Sequence, residues 1–506
     1  MDVRRWFYRN KGEKKTDKTL AEHLEKLKKA SGDFEQYVVE TNHGSFVLSY
    51  YDPLIDKKTL SEQVIAPLKL AGNTNWNEAA EVIWTAESQY MQDKDRILDH
   101  LARGYIFIRR HNGENSGWLC PAKVEHEREI NVPEVEFSVA GPQESFVEGL
   151  DTNLFLIRKR LPVAELQVEK MRVGTTTQTD VAIIYLKGVV NEENLQTVRQ
   201  RLQDVTYDHI QDTNQLAQMI QDKTLTLFPQ FVNTERPDRV AAILVEGKIA
   251  FISEGSPEAV TAPATLLEFF SSLEDYYLPW YVATFIRFLR FGAVAFSILA
   301  TPIYVAVLTY HYEMIPKDLL ATLVASRSNI PFPPVIEALF LEFTIELLRE
   351  AGARLPSKVG QTIGIVGGIV IGQASVEAGL TSNILLIVVA LAALASFTTP
   401  VYQMGNTIRI LRFPFILATA FMGLIGLAVT LMFTVIHLMK LTSLGRPYLE
   451  PFFPLRLTDW KDAVLRLPFS FFKDRPQYTR PKRRFRGPQK HKRQGQKSPD
   501  IDEFYQ

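Results

Sequence analysis

The stretch that decides the fold of this 506-residue chain runs from Pro333 to Pro400 and reads PPVIEALFLEFTIELLREAGARLPSKVGQTIGIVGGIVIGQASVEAGLTSNILLIVVALAALASFTTP. It begins with an apolar helix that carries glutamates and passes through a basic corner. It continues as a glycine-rich segment and then as a purely apolar run. Helices that only face lipid need neither acids nor regularly spaced glycines. The stretch therefore predicts a helical assembly around a polar path.

Four acids mark the first helix, which is predicted from Pro334 to Glu350. At 3.6 residues per turn, Glu342, Glu346 and Glu350 share one face, whereas Glu337 lies well away from it. Three internal acids cost about 7 kcal/mol in a membrane, and the large apolar side chains return only about 4 to 5. The helix must therefore line a wet path, pair with other helices, or lie in the interface as an amphipathic helix.

A glycine ladder defines the second part of the stretch, where small residues recur every four positions at Gly360, Gly364, Gly368 and Gly372. The opposite face of that helix carries valines followed by polar groups, namely Val359, Thr362, Val366, Val370, Gln373 and Glu377. Small residues at this spacing let helix backbones approach closely in lipid. Packing through the glycines would turn the second face inward, toward a shared axis.

This arrangement leaves two interpretations open. In the first, a ring of helices surrounds a pore in which Val366 and Val370 form the closed gate by dewetting, and acidic rings favour cations. The polar lining then consists of Glu342, Glu346, Gln373 and Glu377. In the second, the glycines serve only tight packing in a membrane bundle that has no pore.

The rest of the chain predicts a soluble half followed by a membrane bundle. Residues 291–440 hold nearly all of the long apolar runs. The formal net charge is zero, so no overall electrostatic partner is implied, and the single cysteine, Cys120, excludes an internal disulfide. The N-terminus MDVRRWFYRNKGEKK is basic but has no apolar core behind it, unlike a signal peptide.

We expect a cytoplasmic N-terminal α+β region, built of two α/β subdomains with mixed sheets, followed by an α-helical transmembrane bundle. The predicted segments are a basic N-terminal segment (1–32), a first subdomain (33–140), a second subdomain (141–260), an interfacial linker helix (261–290), the bundle with its acidic and glycine-rich helices (291–440) and a basic cytoplasmic tail (441–506), largely disordered after 476. One hairpin is predicted within Asp33–Tyr51. Another is predicted at Glu246–Gly247, between strands at Ala241–Val245 and Lys248–Ile252.

Three segments are apolar enough to cross a membrane, namely Phe291–Tyr310, Asn383–Thr399 and Phe413–Leu438. Arg287 and Arg290 predict that the soluble half faces the cytoplasm. Arg409 and Arg412 predict that the loop before the last span lies on the same side. If all five apolar segments of the bundle crossed, however, the basic tail would end outside. We therefore expect one segment of Pro333–Ser382 to be re-entrant or interfacial, with the acidic helix as the first candidate.

Catalytic motifs are absent from the sequence. The histidines form no HExxH pair, and GIVGGIVIG lacks the GK[ST] that a phosphate loop requires. There is no nucleophile elbow and no CxxC pair. We predict neither an enzyme nor a resident metal or cofactor.

Several long runs carry a resemblance to a known family: NIPFPPVIEALFLEFTIELLREAGARLP, GQTIGIVGGIVIGQASVEAGL, ASFTTP, GPQESFVEGLDTNLFLIRKR and LFPQFVNTERPDRVAAILVEGKIAFI. With shorter matches they span most of residues 140–455 and closely resemble the A subunit of GerA-type spore germinant receptors. The resemblance implies a multi-pass protein of the spore inner membrane or cell membrane that signals nutrient detection by releasing ions. It also implies a complex with a transporter-like B subunit and a lipoprotein C subunit. Since that family's germinant pocket is usually placed in the B subunit, no ligand residues are transferred.

Three functions stay open. The first is a nutrient-gated cation channel formed by a homo-oligomer, and the second is a non-conducting scaffold or signalling subunit. The third is a solute transporter, which would require internal repeats that the sequence does not show. The basic tail predicts a contact with anionic lipid, at about 1 kcal/mol per charge. No motif supports nucleic acid as a partner.

Overall fold

A computed structural model describes residues 20–41, 44–70, 88–110, 115–124, 140–354 and 370–486, together with positions 133, 136, 138 and 368. The strands are β1 (Phe34–Thr41), β2 (Gly44–Tyr51), β3 (Gln89–Met91), β4 (Tyr105–Arg110), β5 (Gly117–Pro121), β6 (Leu166–Val173), β7 (Thr179–Leu186), β8 (Val232–Thr234), β9 (Ile249–Ser253), β10 (Ala259–Ala262), β11 (Thr442–Ser443) and β12 (Arg446–Pro447). The helices are α1 (Leu20–Ala30), α2 (Ala66–Leu70, continuing a π-helical Thr59–Ile65), α3 (Lys94–Leu101), α4 (Leu150–Arg160), α5 (Glu192–Gln203), α6 (Thr213–Ile220), α7 (Pro237–Val245), α8 (Trp280–Tyr310), α9 (Lys317–Arg327), α10 (Pro334–Arg354), α11 (Asn383–Ser396), α12 (Tyr402–Lys440) and α13 (Trp460–Ala463).

The first sheet has the order β1-β2-β4-β5-β3, and each of its pairings is antiparallel. β1 and β2 form the hairpin predicted within Asp33–Tyr51, with Phe34 opposite Tyr51 and Thr41 opposite Gly44. One face of the sheet packs on Leu60 and Val64, which precede α2. The other face joins a core that extends into the second subdomain.

The second sheet has the order β6-β7-β9-β10-β8 and is also antiparallel throughout. The prediction of mixed sheets was therefore wrong. β6 and β7 are joined by the short turn 174–178, and β9 and β10 by 254–258. Turns of this length join only antiparallel neighbours, since a parallel pair needs a crossover of about a dozen residues or more.

The predicted strand at Ala241–Val245 is instead part of helix α7. Pro237 occupies its first turn, where the missing N–H costs nothing. Val240 and Leu244, one turn apart, are buried against the sheet. Gly247 follows the helix with φ 93°, so the Glu246–Gly247 pair ends a helix rather than closing a hairpin.

A buried ion pair joins the two subdomains across their shared core. Arg158 of α4 donates through Nε and Nη2 to the two carboxylate oxygens of Asp33, at 2.5 and 2.8 Å. Its guanidinium also lies 3.9 Å from the centre of the Tyr51 ring, and burial raises the pKa of Tyr51 to about 12. Helix α1 contributes Leu20, Leu24 and Leu27 to the same core. The two sheets therefore share one hydrophobic core.

α8 runs without a break from Trp280 to Tyr310, so the end of the predicted linker helix (261–290) and the first span are parts of one helix. Residues 261–279 instead form the end of β10 and two short 3₁₀ helices. Arg287 and Arg290 lie in its first half and are buried. Both donate to the Asp275 carboxylate, at 2.9 and 3.2 Å. They therefore bind α8 to the segment that leads out of the soluble half, although the sequence suggested only flanking charges beside a span.

α12 is the longest helix, but it reverses direction at Gly423, which adopts φ 58° and ψ −141°. Thr407 Oγ1 donates to a main-chain carbonyl of the loop 226–227 at 2.5 Å, and His437 Nε2 contacts a threonine hydroxyl of the same loop at 2.8 Å. In a straight helix the residues between positions 407 and 437 would separate these contacts by about 45 Å. We call residues 402–422 the first arm and residues 424–440 the second arm.

The reversal leaves main-chain groups at the end of one arm and the start of the other without intrahelical partners. Tyr310 OH donates to the carbonyls of Ala420 and Phe421, at 3.0 Å each. His311 Nε2 accepts from the Leu424 N–H at 3.4 Å. The end of α8 thus satisfies the groups that the turn exposes. The predicted single span Phe413–Leu438 is consequently wrong, because its apolar run is shared between two antiparallel arms.

Contacts along α8 give the directions of the other bundle helices. The first arm runs parallel to α8, and α10 and α11 run antiparallel to it, as the contacts of the next section show. The acidic helix α10 packs against other helices of the bundle through one side, where Leu341 and Glu342 are buried. Its predicted interfacial placement in a membrane stays a prediction. The turn at Gly423 returns the second arm of α12 to the soluble half.

The chain leaving the bundle stays attached to the soluble half. Arg475 is 1% exposed and donates to the carbonyls of Val245 and Phe485, each at 2.6 Å. Arg486 pairs with Glu246 at 2.6 Å. Because carbonyls and a carboxylate accept these guanidinium donors, residues 477–486 are ordered, and the prediction of disorder after 476 was wrong for them.

Candidate functional site

Charged side chains cross the bundle in three layers, which we call the charge ladder. Each layer joins one glutamate of α10 to arginines: Glu337 to Arg327, Glu342 to Arg412, and Glu346 to Arg409 and Arg349. Glu342 and Glu346 are about one turn apart on α10, whereas Glu337 points to another side. This spacing explains why Glu337 meets α9, while the other two glutamates meet the first arm of α12.

The middle layer is almost fully buried, with the Glu342 and Arg412 side chains 5% and 3% exposed. Arg412 Nη1 donates to Glu342 Oε2 at 2.7 Å, and Thr301 Oγ1 donates to Glu342 Oε1 at 2.8 Å. Arg412 Nη2 donates to Ser297 Oγ at 2.8 Å and to the Ala392 carbonyl at 3.3 Å. This one layer therefore ties together α8, α10, α11 and α12.

The upper layer lies toward the end of α8 that is remote from the soluble half. Glu337 pairs with Arg327 at 2.8 Å and accepts the Ser382 N–H at 3.2 Å. Ser382 is the N-cap of α11, and its hydroxyl lies 3.0 Å from Tyr304 OH. A carboxylate at a helix N-terminus is favoured by the partial positive charge there. Glu337 thus anchors both α9 and the start of α11.

The lower layer lies nearest the soluble half and is less complete. Glu346 is 43% exposed and faces two arginines, Arg409 at 3.4 Å and Arg349 at 3.8 Å. Arg349 Nη2 donates weakly to Ser396 Oγ at 3.5 Å. Its guanidinium stacks on the Phe397 ring, 4.3 Å from the ring centre. One carboxylate therefore serves two guanidinium groups in this layer.

The glycine ladder shows two unlike sides where the structure describes it. Gly372 faces α11, since a Cβ added there would lie 3.6 Å from Leu386. Val370, by contrast, is 57% exposed. Gln373 and Glu377 are exposed too, and Gln373 Nε2 donates to Glu377 Oε1 at 3.0 Å. Several predicted positions lie outside the described residues, namely Val359, Gly360, Thr362, Gly364 and Val366.

The predicted polar lining therefore divides into two groups. Val370, Gln373 and Glu377 share an exposed face of the glycine ladder. Glu342 is enclosed by other helices of the same chain, and Glu346 is partly exposed at the lower layer. Gly368 has no atom within 4 Å of a Cβ placed on it, counting the described residues. The two groups do not converge within one chain.

The arginine partners of the acids were missed at the sequence level. Arg409 and Arg412 were assigned to a basic loop, although they lie three residues apart and so share one side of a helix. One sequence signal for a buried position was that their helix continues directly into an apolar run. Ser297 and Thr301, small hydroxyl residues four apart within the apolar α8, were the second signal.

The charge ladder holds the bundle together rather than presenting free carboxylates. A buried charge is tolerated when a partner and hydrogen bonds offset its lost hydration. Glu342 accepts from two donors, Arg412 and Thr301, and is paired with the arginine charge, which leaves no reason for it to attract an ion from solution. By length and composition, two helices of the described chain are apolar enough to cross a membrane, α8 and α12.

The fold and this site define an α/β soluble half attached to an apolar helical bundle that is cross-linked by arginine–glutamate pairs. Residues 19–478 match the family described as Bacillus/Clostridium GerA spore germination protein. The chain is 50% identical over 469 residues to spore germination protein GerQA of Bacillus cereus, covering 93% of this chain and 94% of the relative. It belongs to the GerA spore germination protein family, as the resemblance read from its sequence predicted.

Two further relatives, GerIA and A1, agree with this assignment, and one solved structure is similar in part. Spore germination protein GerIA of Bacillus cereus is 45% identical, covering 93% of this chain and 71% of the relative. Spore germination protein A1 of Bacillus subtilis is 37% identical, covering 89% and 93%. The crystal structure of the N-terminal domain of the A subunit of the Bacillus megaterium spore germinant receptor GerK3 is 25% identical, with a TM-score of 0.37, covering 49% of this chain and 96% of that structure.

Proposed function

We propose that this protein is the membrane A subunit of a spore germinant receptor and that several copies assemble around a cation-conducting path that opens during germination. Membership of the GerA family supports the role in germination. The assembly would include a transporter-like B subunit and a lipoprotein C subunit, and the protein would cross the spore membrane several times with its soluble half in the cytoplasm.

The observation that carries the conducting path is the exposed face formed by Val370, Gln373 and Glu377. A glutamate that faces lipid at the membrane centre costs about 2.5 kcal/mol or more, if it behaves like aspartate. Gln373 binds Glu377 but does not cover it. A neighbouring copy, with water on a shared axis, would give this face a suitable environment.

In this proposal Val366 and Val370 form the constriction, and Gln373 and Glu377 form the polar mouth. Gly360, Gly364, Gly368 and Gly372 form the packing side. Glu342 contributes by fixing the helices around the path, because its carboxylate is already paired. Glu346 stands near the end of the path that is closest to the soluble half.

A flux measurement on the full chain tests this proposal. The purified protein is reconstituted into potassium-loaded vesicles, and potassium release is compared between the wild type, Val370→Ala and Val376→Ala. Val376 is the control, since it lies on the same helix and lines the groove beside Asn383 and Leu386, to which Gln373 and Glu377 contribute but Val370 does not. Val370→Ala should leak because a narrower side chain wets the constriction, while Val376→Ala should retain potassium. Equal retention by all three proteins, at equal oligomeric state, would favour the scaffold alternative.

A further inference from the structure

The lower layer of the charge ladder carries an excess of positive charge. Arg349 and Arg409 both face Glu346, at 3.8 and 3.4 Å. Arg412, the nearest other arginine on the first arm, is already paired with Glu342. Three guanidinium groups therefore face two carboxylates, and one positive charge is left without a counterpart among the described residues.

The arginines at this layer also have donors without acceptors. The Arg349 and Arg409 side chains are only 16% and 11% exposed. Among the described residues, Arg349 Nε has no hydrogen-bond acceptor, while Arg349 Nη1 and Arg409 Nε face the Glu346 carboxylate at 3.8 and 3.4 Å without forming a hydrogen bond to it. Arg409 Nη2 donates to Asn406 Oδ1. Buried guanidinium donors without acceptors are costly, so they indicate a bound group that supplies oxygen atoms.

The sequence supplies no further acid nearby in the chain. Residues 355–367, which follow α10 directly, read LPSKVGQTIGIVG and contain Lys358 but neither Asp nor Glu. Glu350 is already paired with Arg354, at 2.5 Å. The missing negative charge must therefore come from outside this part of the chain.

The position of these arginines matches the boundary between a membrane and water. They lie at the end of the bundle nearest the soluble half, and Arg409 is within one turn of Thr407, which bonds to the loop 226–227. Phe397 and Tyr402 stand beside them and are 65% and 58% exposed. Exposed aromatic residues are typical of the headgroup level of a bilayer.

We propose that Arg349 and Arg409 form a binding site for a phosphate-type oxyanion at this rim of the bundle. The planar guanidinium fork matches the spacing of phosphate oxygens, and two such groups can bind one phosphate from two sides. Glu346 lies at the open edge, where it orients both arginines. The phosphate belongs either to an anionic lipid headgroup or to a free phosphate ion, and the site is distinct from the proposed conducting face.

Native mass spectrometry of the full chain tests the site. The wild type, Arg349→Gln/Arg409→Gln and Arg354→Gln are released from mixed phosphatidylglycerol–phosphatidylcholine nanodiscs, and retained lipid is counted. Arg354 is the matched control, because it lies on the same helix end but its side chain is 79% exposed. The wild type and Arg354→Gln should retain phosphatidylglycerol over phosphatidylcholine. The double variant should lose this preference by about tenfold or more, since each charge-assisted contact is worth about one such factor.

Inorganic phosphate separates the two sources. If it displaces retained phosphatidylglycerol only at high concentration, the site is a headgroup site. If lipid-free wild type binds inorganic phosphate and the double variant does not, the source is free phosphate. Should the glutamine pair fail to fold, Arg349→Lys/Arg409→Lys keeps the charge but loses the fork and should still bind more weakly than wild type. Equal retention by the wild type and a folded double variant, or no selective binding of either probe, overturns the proposal.

Discussion

The two halves of the stretch that decides the fold accommodate polar side chains within apolar helices in opposite ways. Helix α10 carries buried acids and closes them on arginines of its own chain, with Glu342 held by Arg412 at 2.7 Å. The glycine ladder instead leaves Val370, Gln373 and Glu377 on an exposed face. An acid within an apolar helix is therefore not in itself a sign of a pore. The first helix holds one subunit together, and in the proposed assembly the second offers a face to other subunits.

The largest expected effect comes from breaking the middle layer. Arg412→Ala should destabilise the full chain by about 3–5 kcal/mol, because it leaves the Glu342 carboxylate buried without a partner. Thermal unfolding of the detergent-solubilised protein measures this loss. Arg354→Ala is the control, since its exposed pair with Glu350 should change stability by less than about 1 kcal/mol. Comparable stability of both variants would mean that Glu342 is not enclosed as described.

The second effect concerns the turn that returns the chain to the soluble half. A Cβ at Gly426 would clash with the Ala418 carbonyl oxygen, where the two arms cross. Gly426→Ala should therefore cost about 1–3 kcal/mol, as overpacking does. Gly292→Ala in α8 is the matched control, because nothing lies within 4 Å of the added methyl group. If Gly426→Ala were as stable as Gly292→Ala, α12 would not reverse at this point.

A smaller effect is expected where the chain leaves the bundle. Burial raises the pKa of Asp222. Hydrogen bonds from Thr442, the Gly445 N–H and Arg201 lower it by a larger amount, so the net pKa lies below the usual 3.8. A carboxyl group with a lowered pKa stabilises the fold above its unfolded pKa, and this stabilisation is lost as pH falls through the folded pKa.

Asp222→Asn should accordingly cost about 1–2 kcal/mol at pH 7, since it weakens charge-assisted hydrogen bonds. The difference from wild type should shrink below about pH 4, where the wild-type carboxylate also becomes protonated. Unfolding curves at a series of pH values give both quantities. Asp180→Asn, on an exposed pair with Arg172, serves as the control. A difference that stays constant down to pH 3 would exclude the carboxylate as the cause.

The smallest effect on stability sharpens the contrast between the two helices. Glu377→Gln should change the free energy of unfolding by less than about 0.5 kcal/mol, because the side chain is exposed and, within the described part of the chain, is bonded only to Gln373. In the flux assay, however, the same variant should reduce the preference for cations over anions. Loss of stability without any change in ion preference would assign Glu377 to packing.

Local patterns predicted much of the secondary structure, and composition predicted the division into a soluble half and a bundle. The hairpin around Thr41 and Gly44 followed from alternation and its turn. The sequence predicted that the acidic helix cannot face lipid alone, because the insertion cost depends on composition alone. Pairing with other helices was one of the three placements that this cost left open. Arg412 was assigned to a loop, because a charge beside an apolar run is usually interpreted as lying at the end of a membrane span. The structure buries it between the bundle helices instead.

The reversal of α12 could not be inferred from hydrophobicity. An apolar run has the same composition whether it crosses once or folds back, and only Gly423 and Gly426 mark the turn. The antiparallel order of the second sheet was missed for a related reason: strand–helix alternation does not specify direction. The ordered residues 477–486 were missed because their arginines bind carbonyl groups that lie far away in sequence, such as Val245.

Cysteine cross-linking between subunits tests the central contrast most directly. Gln373→Cys is introduced with Cys120→Ala into the full chain, and membranes are treated with a short bifunctional thiol reagent. Gln373→Cys should cross-link the copies into a series of oligomers. Thr301→Cys, which is enclosed beside Glu342, should stay monomeric. If Gln373→Cys reacts with a lipid-soluble thiol reagent but never links two chains, that face meets lipid rather than neighbouring subunits, and the account is wrong.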